Sequence, residues 1–161
     1  MDNNDNSINS GTHTKFWKDL PLYNKSGVMD QAISLYKANI KREPDNPSHY
    51  FNLGKVLEAQ GRQLDAMKVY SMASKKDPHY YKARFNLSVI YLELGKYNLA
   101  LKGFMKVLKQ KRDHSGAIYN AALCCKHLKI KDRAARLWRR FLELEKDPEW
   151  TSETNRHLDS L

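Results

Sequence analysis

Apolar residues between Pro47 and Pro78 return at helical intervals, in two runs separated by Gly61. Counting Pro47 as position 1, Tyr50, Leu53, Gly54 and Leu57 stand at positions 4, 7, 8 and 11 of the first run. Ala66, Tyr70 and Ala73 stand at positions 20, 24 and 27, in the second run, which Asp77-Pro78 stops. Side chains three and four apart share one face of a helix, so the pattern predicts two amphipathic helices joined by a tight turn. The same pattern recurs every 34 residues. Leu87, Tyr91, Gly95, Ala100 and Phe104 fill matching places one period on, and Ala122, Ala134 and Trp138 a further period on. One period back stand Gly27, Ala32, Tyr36 and Pro44. A small residue followed by an aromatic four later therefore occurs in four registers: Ala32/Tyr36, Ala66/Tyr70, Ala100/Phe104 and Ala134/Trp138. The small residue lets two helices approach, and the aromatic one turn on fills the space beside it.

This helix–turn–helix unit resembles the tetratricopeptide repeat (TPR), whose period is 34 residues. The resemblance covers roughly residues 14–148 and implies an all-α fold, a right-handed superhelix of antiparallel helix pairs. Repeats are expected at 47–80, 81–114 and 115–148, with helices near 47–60, 63–76, 81–94 and 97–110. Residues 14–46 form a degenerate first repeat, because Pro21 interrupts the helix begun by Phe16, Trp17 and Leu20; a sound helix is expected from about Met29 to Lys41. In the last repeat Lys129 stands where Gly61 and Gly95 mark the earlier turns, and Asp147-Pro148 comes two residues later than the period requires. Its second helix is therefore expected to be about half a turn longer. Trp150, Leu158 and Leu161 at helical spacing predict a capping helix over 149–161, covering Leu137, Phe141 and Leu144. Residues 1–13 are almost wholly polar and are expected to be disordered.

At 161 residues the chain fits one domain, and its hydrophobic fraction of 41% suffices for the strip-like core of a repeat array. No apolar run approaches the length of a membrane span, and the polar N-terminus lacks the features of a secretory signal. Cys124 and Cys125 are adjacent and suggest no disulfide framework. A cytoplasmic location is expected. The net charge of +10 is uneven: residues 1–46 are neutral and 47–80 carry +2, whereas 81–114 carry +6, 115–148 carry +4 and 149–161 carry −2. Such asymmetry bears on partners and solubility rather than on fold.

Catalytic spacing is missing from the sequence. The six histidines are scattered, with no metal-binding motif, no phosphate-binding glycine loop and no nucleophile elbow. Cys125 takes the place of Leu57 and Tyr91 and reads as a small core residue rather than a redox group. The chain is expected to be no enzyme and to need neither cofactor nor metal. Interest falls on the first helices of the repeats, which in the TPR family line a concave groove. The resemblance places Phe51, Phe85 and Tyr119 there at position 5, Asn52, Asn86 and Asn120 at position 6, and Lys55, Val89 and Leu123 at position 9. Lys82 and Lys126 flank them at positions 2 and 12. A ladder of amides offers a donor and an acceptor to an extended peptide at each rung; the same residues also suit plain packing between repeats.

The carboxylate clamp of chaperone-binding TPRs is incomplete. With the match begun at Pro47, Phe51 stands where its first lysine belongs, and Gly116 and Asn120 stand where its last cations belong. Begun one repeat earlier, Asn52 and Lys82 match but Trp17 and Pro21 do not. The second helices carry a basic row on the convex side: Lys68, Lys102 and Arg136, with Lys106, Lys109, Arg133, Arg139 and Arg140 alongside. It reads as a solvated face or as a site for an acidic partner, a nucleic acid or anionic headgroups. The leading expectation is an adaptor that binds a peptide segment of a partner protein, acidic residues among those it would accept, in the groove. A nucleic-acid-binding repeat protein, a small secretion-type chaperone and self-association are the alternatives.

Overall fold

The computed structural model describes residues 26–161, which form eight helices and no strand. They are α1 (Ser26–Arg42), α2 (Pro47–Ala59), α3 (Gln63–Lys76), α4 (Tyr81–Glu93), α5 (Tyr97–Gln110), α6 (Ser115–His127), α7 (Lys131–Leu144) and α8 (Pro148–Asp159). The polar tail and the helix expected around Phe16, Trp17 and Leu20 lie outside the described residues.

Local chemistry sets the helix ends. Asn46 caps α2 by accepting from the Ser48 amide at 3.1 Å, with Pro47 in the first turn. Asp147 caps α8 by accepting from the amides of Glu149 and Trp150, again with a proline following. His114 caps α6 through its ring, accepting from the Ala117 amide at 3.2 Å. Gly61 and Gly95 end α2 and α4 with φ of 75° and 70°, and Lys129 adopts a φ of 61° in the corresponding turn after α6. The expected lengthening of the last second helix does not occur, since α3, α5 and α7 each have 14 residues. The two extra residues lie in the link to α8, where Glu145 is already extended.

Although the length suits one domain, the described chain divides into two compact units, one up to Ile90 and one from Tyr91. In the first, α1 packs on α2 and α2 on α3, around Met29, Ile33, Tyr50, Leu53, Leu57, Ala66 and Tyr70. Gly54 is required there, because a Cβ at that position would overlap the Tyr70 ring. In the second, α6 is the central helix, packed by α5 and by α7, with α8 set against α7. Phe104, Ile118, Trp138 and Phe141 are fully buried in that unit. Truncating Trp138 to alanine costs about 3–5 kcal/mol on the scale of large core deletions.

Candidate functional sites on the helix faces

In the first unit the first-helix face is built from α2 and α4. Phe51 is half-buried, its ring 5.8 Å from that of Tyr70 and edge-on to Tyr80 at 5.6 Å. Lys55 lies with its Nζ 5.9 Å from the centre of the Phe51 ring. Burial lowers its pKa, the charge of Lys82 adds to that effect, and Glu58 opposes it. Lys82 itself is exposed. Asn52 is half-buried and its amide has no hydrogen-bond partner among the described residues. These four side chains form the accessible part of the face.

Its other members are not open. Phe85 and Val89 are 3% and 2% exposed, and Asn86 is 7% exposed. The Asn86 amide donates to the Tyr70 hydroxyl at 3.1 Å, and that hydroxyl donates to Glu58 at 2.6 Å. Burial and the Glu58 carboxylate together hold the Tyr70 phenol far above its ordinary pKa, so it stays a donor. Asn86 therefore belongs to an internal chain of hydrogen bonds and not to a ladder open to a peptide.

The second unit corrects the expectation further. Tyr119 and Asn120 are 2% and 1% exposed, while Leu123 and Lys126 are half-buried. What covers Tyr119 is α8: its hydroxyl donates to Glu153 at 2.8 Å, and Trp150 meets its ring edge-on at 5.3 Å. Lys126 donates to Ser160 at 2.6 Å and to the Nδ1 of His157 at 3.2 Å, and its Nζ stands 5.8 Å from the centre of the Trp138 ring. Tyr119 and Glu153 are 34 residues apart, as are Lys126 and Ser160. Thus α8 fills the place of a next repeat's first helix. It meets Phe141 through Trp150, as expected, but Leu144 remains 40% exposed.

His157 is the residue that sequence reasoning missed. Its ring stacks on the buried Trp138 at 4.8 Å and 7°. Burial lowers its pKa, Lys126 and Arg156 lower it further, and Glu153 opposes them. At neutral pH the ring is neutral, with Nδ1 accepting from the Lys126 ammonium. The Oδ1 of Asn120 and the Nε1 of Trp138 are buried with no hydrogen-bond partner among the described residues. One period from Tyr70, whose hydroxyl accepts from the Asn86 amide nitrogen, Phe104 has no hydroxyl to offer Asn120.

The basic row is solvated, unevenly. Lys68 is held by Asp65 at 3.3 Å, and Arg62 pairs with the same carboxylate at 2.9 Å, which lowers the Asp65 pKa. Arg140 donates to the Arg112 carbonyl and to Asp113, and Arg133 is half-buried. Lys102, Lys106, Lys109, Arg136 and Arg139 are exposed and have no carboxylate partner among the described residues. Cys124 and Cys125 are buried free thiols, and burial pushes Cys124 up to about 12 and Cys125 upward, which leaves no thiolate for chemistry at neutral pH. Among the described residues no group of three His, Cys, Asp or Glu side chains could hold a metal, and no helix is long and apolar enough to cross a membrane.

Tetratricopeptide repeat family profiles match residues 25–81 and 81–114. The chain is 27% identical over 116 residues to human Superkiller complex protein 3, covering 71% of this chain and 7% of that protein. It is 36% identical over 74 residues to the TPR repeat-containing thioredoxin TTL4 of Arabidopsis thaliana, covering 46% of this chain and 11% of that one. The chain therefore spans a small part of the curated relatives it matches. Among solved structures, MamA from Desulfovibrio magneticus RS-1 (residue 41 to its end) superposes with a TM-score of 0.72 at 20% identity, covering 93% and 84% of the two chains. The first TPR of Spaghetti (RPAP3), bound to the HSP90 peptide SRMEEVD, gives 0.64 at 21% identity, covering 69% and 89%. These likenesses establish the fold as an all-α solenoid of helix pairs.

Proposed function

The chain belongs to the tetratricopeptide repeat family, and from that premise we propose that it is a protein-interaction adaptor whose first-helix face in the unit up to Ile90 binds a peptide segment of a partner. The observation that carries this reading is the side-chain set on α2 and α4: the half-exposed Phe51 ring, the unpaired Asn52 amide, and the cations of Lys55 and Lys82. Such a face offers an aromatic shelf, a donor and acceptor for a peptide bond, and positive charge for an acidic residue of the segment. The peptide held by the first TPR of Spaghetti supports the choice of occupant. In the unit from Tyr91, α8 already covers Tyr119, so the proposal rests on the first unit alone. The proposal includes a reducing, cytoplasmic setting, consistent with the free thiols of Cys124 and Cys125.

The test is affinity capture from the native host with the wild type and with Asn52→Ala combined with Lys82→Glu. Neither position is deeply buried, so melting should not change. Asn52→Ala should remove hydrogen bonds worth about 0.5–1.5 kcal/mol each, and the charge reversal should weaken an acidic segment further. Retention of every captured polypeptide at wild-type level by the double variant would refute the proposal. Phe85→Ala and Asn86→Ala are unsuitable probes of binding, since both positions are buried and their truncation disturbs the core.

A further inference from the structure

On α5, Leu99, Lys102, Lys106 and Lys109 fall within about 80° of the helix circumference and span about 15 Å of its length. All four are exposed, Leu99 by 49%. The helix contains no Asp or Glu, and its three strip lysines have no carboxylate partner among the described residues. The corresponding helix one period earlier differs in one telling respect. There Asp65 occupies the place of Leu99 and neutralises Lys68, the counterpart of Lys102, at 3.3 Å. Thus on α5 the residue that would pair the strip is replaced by an uncovered leucine, and positive charge continues on α7 with the exposed Arg136.

We propose that this α5 strip is a second interaction surface, separate from the first-helix face, that takes an acidic amphipathic protein segment: carboxylates on the lysine row and one bulky apolar side chain on Leu99. Charge complementarity selects an anion, and the remaining observations select which kind. Single-stranded nucleic acid is held by aromatic stacking as well as by charge. The exposed large hydrophobics of this unit are Leu94, Leu99, Ile130 and Leu144, all aliphatic, the strip itself carries no aromatic side chain, and the exposed His127 ring is already stacked on Tyr97 at 4.2 Å. A basic helix lying on a membrane inserts a whole apolar face. The apolar face of α5, with Leu101, Phe104, Val107 and Leu108, is buried in the core, which leaves Leu99 alone to insert. An acidic segment with an apolar anchor uses every feature of the strip.

The experiment is a selection of random displayed dodecapeptides on the whole chain, counter-selected on Lys102→Glu/Lys106→Glu/Lys109→Glu. The expected survivors are rich in Asp and Glu and carry a Leu, Ile, Met or Phe. One of them, made synthetically, should bind the wild type in a salt-dependent way and lose at least about tenfold in affinity on the triple variant. Leu99→Ser should weaken it severalfold while leaving the salt dependence unchanged. Asn52→Ala with Lys82→Glu should leave it unaltered, which separates this surface from the peptide face of the first unit. A 20-nucleotide RNA of mixed sequence and vesicles containing phosphatidylserine should not displace it. The proposal is overturned if no acidic peptide is selected, if the triple variant retains the peptide while its melting curve matches the wild type, or if RNA or vesicles compete as well as unlabelled peptide does.

Discussion

Lys129 carries a backbone conformation that its two counterparts leave to glycine. Its φ of 61° sits beside 75° at Gly61 and 70° at Gly95, and the left-handed region costs a residue with a Cβ about 1–2 kcal/mol. Lys129→Gly is therefore expected to raise stability by about 0.5–1 kcal/mol after the added flexibility of glycine in the unfolded chain is set against the relief. Gly95→Lys should lower stability by a similar amount, and melting midpoints of the two variants decide the matter by their opposite signs. Gly54 is constrained for a different reason, namely the Tyr70 ring against its Cα. Gly54→Ala should cost about 1–3 kcal/mol, as overpacking does, in a chemical denaturation curve with unchanged slope. The orphaned Asn120 Oδ1 makes a third case. Phe104→Tyr places a hydroxyl one period from that of Tyr70, and with Leu92 where Glu58 accepts the Tyr70 proton, that hydroxyl is free to donate to the Asn120 Oδ1. It is expected to stabilise by about 0.5–1.5 kcal/mol, and the gain should vanish in an Asn120→Ala background.

At the scale of elements, α8 shows both the reach of the sequence pattern and its limit. The apolar spacing of Trp150, Leu158 and Leu161 was enough to expect a helix there, because periodicity reports which face of a helix is dry. Periodicity does not report polar partners on another helix. The contacts that seat α8 run through Glu153, His157 and Ser160, to Tyr119, Lys126 and Trp138. The 34-residue translation of Tyr119 and Lys126 would have pointed to Glu153 and Ser160, had it been carried past the last proline. The same limit explains the binding face. Repeat position named the side chains of the first-helix row, but exposure depends on what covers each rung: Phe51 stays half open, whereas Tyr119 is closed by α8. His157 gives α8 a pH dependence whose sign is fixed. Its pKa is lowered in the folded chain, so the unfolded chain takes up the proton first, and stability falls as pH drops below the ordinary histidine value of about 6.5. The carboxylates with lowered pKa, Glu43 and Asp65, act at more acid pH. Between pH 7.5 and 5 the melting midpoint of the wild type should therefore fall more than that of His157→Gln, and parallel curves for the two proteins would refute the assignment.

For the molecule as a whole, the charge of +10 poses the question of nucleic acid. Simple addition overstates what is available. Lys68 and Arg140 are paired with Asp65 and Asp113, and Lys126 is turned onto Ser160 and His157. The cations left free, among them Lys102, Lys106, Lys109, Arg136 and Arg139, can neutralise phosphates, but the exposed large hydrophobics of their unit are aliphatic and its exposed His127 ring is already stacked on Tyr97. Contacts of that kind position a backbone without reading sequence, and their affinity falls steeply with salt as counterions are released. Mixed-sequence RNA and DNA are therefore expected to bind alike, detectably at low ionic strength and no more tightly than about 10⁻⁴–10⁻⁶ M at physiological salt. The measurement is a titration of both nucleic acids at about 50 and 150 mM salt, with the wild type and with Lys102, Lys106, Arg136 and Arg140 changed to Glu. Submicromolar binding that survives the higher salt and disappears in the charge-reversed variant would displace the adaptor reading in favour of nucleic-acid binding; loss of binding to both polymers between the two salt concentrations would leave the basic surface to acidic proteins.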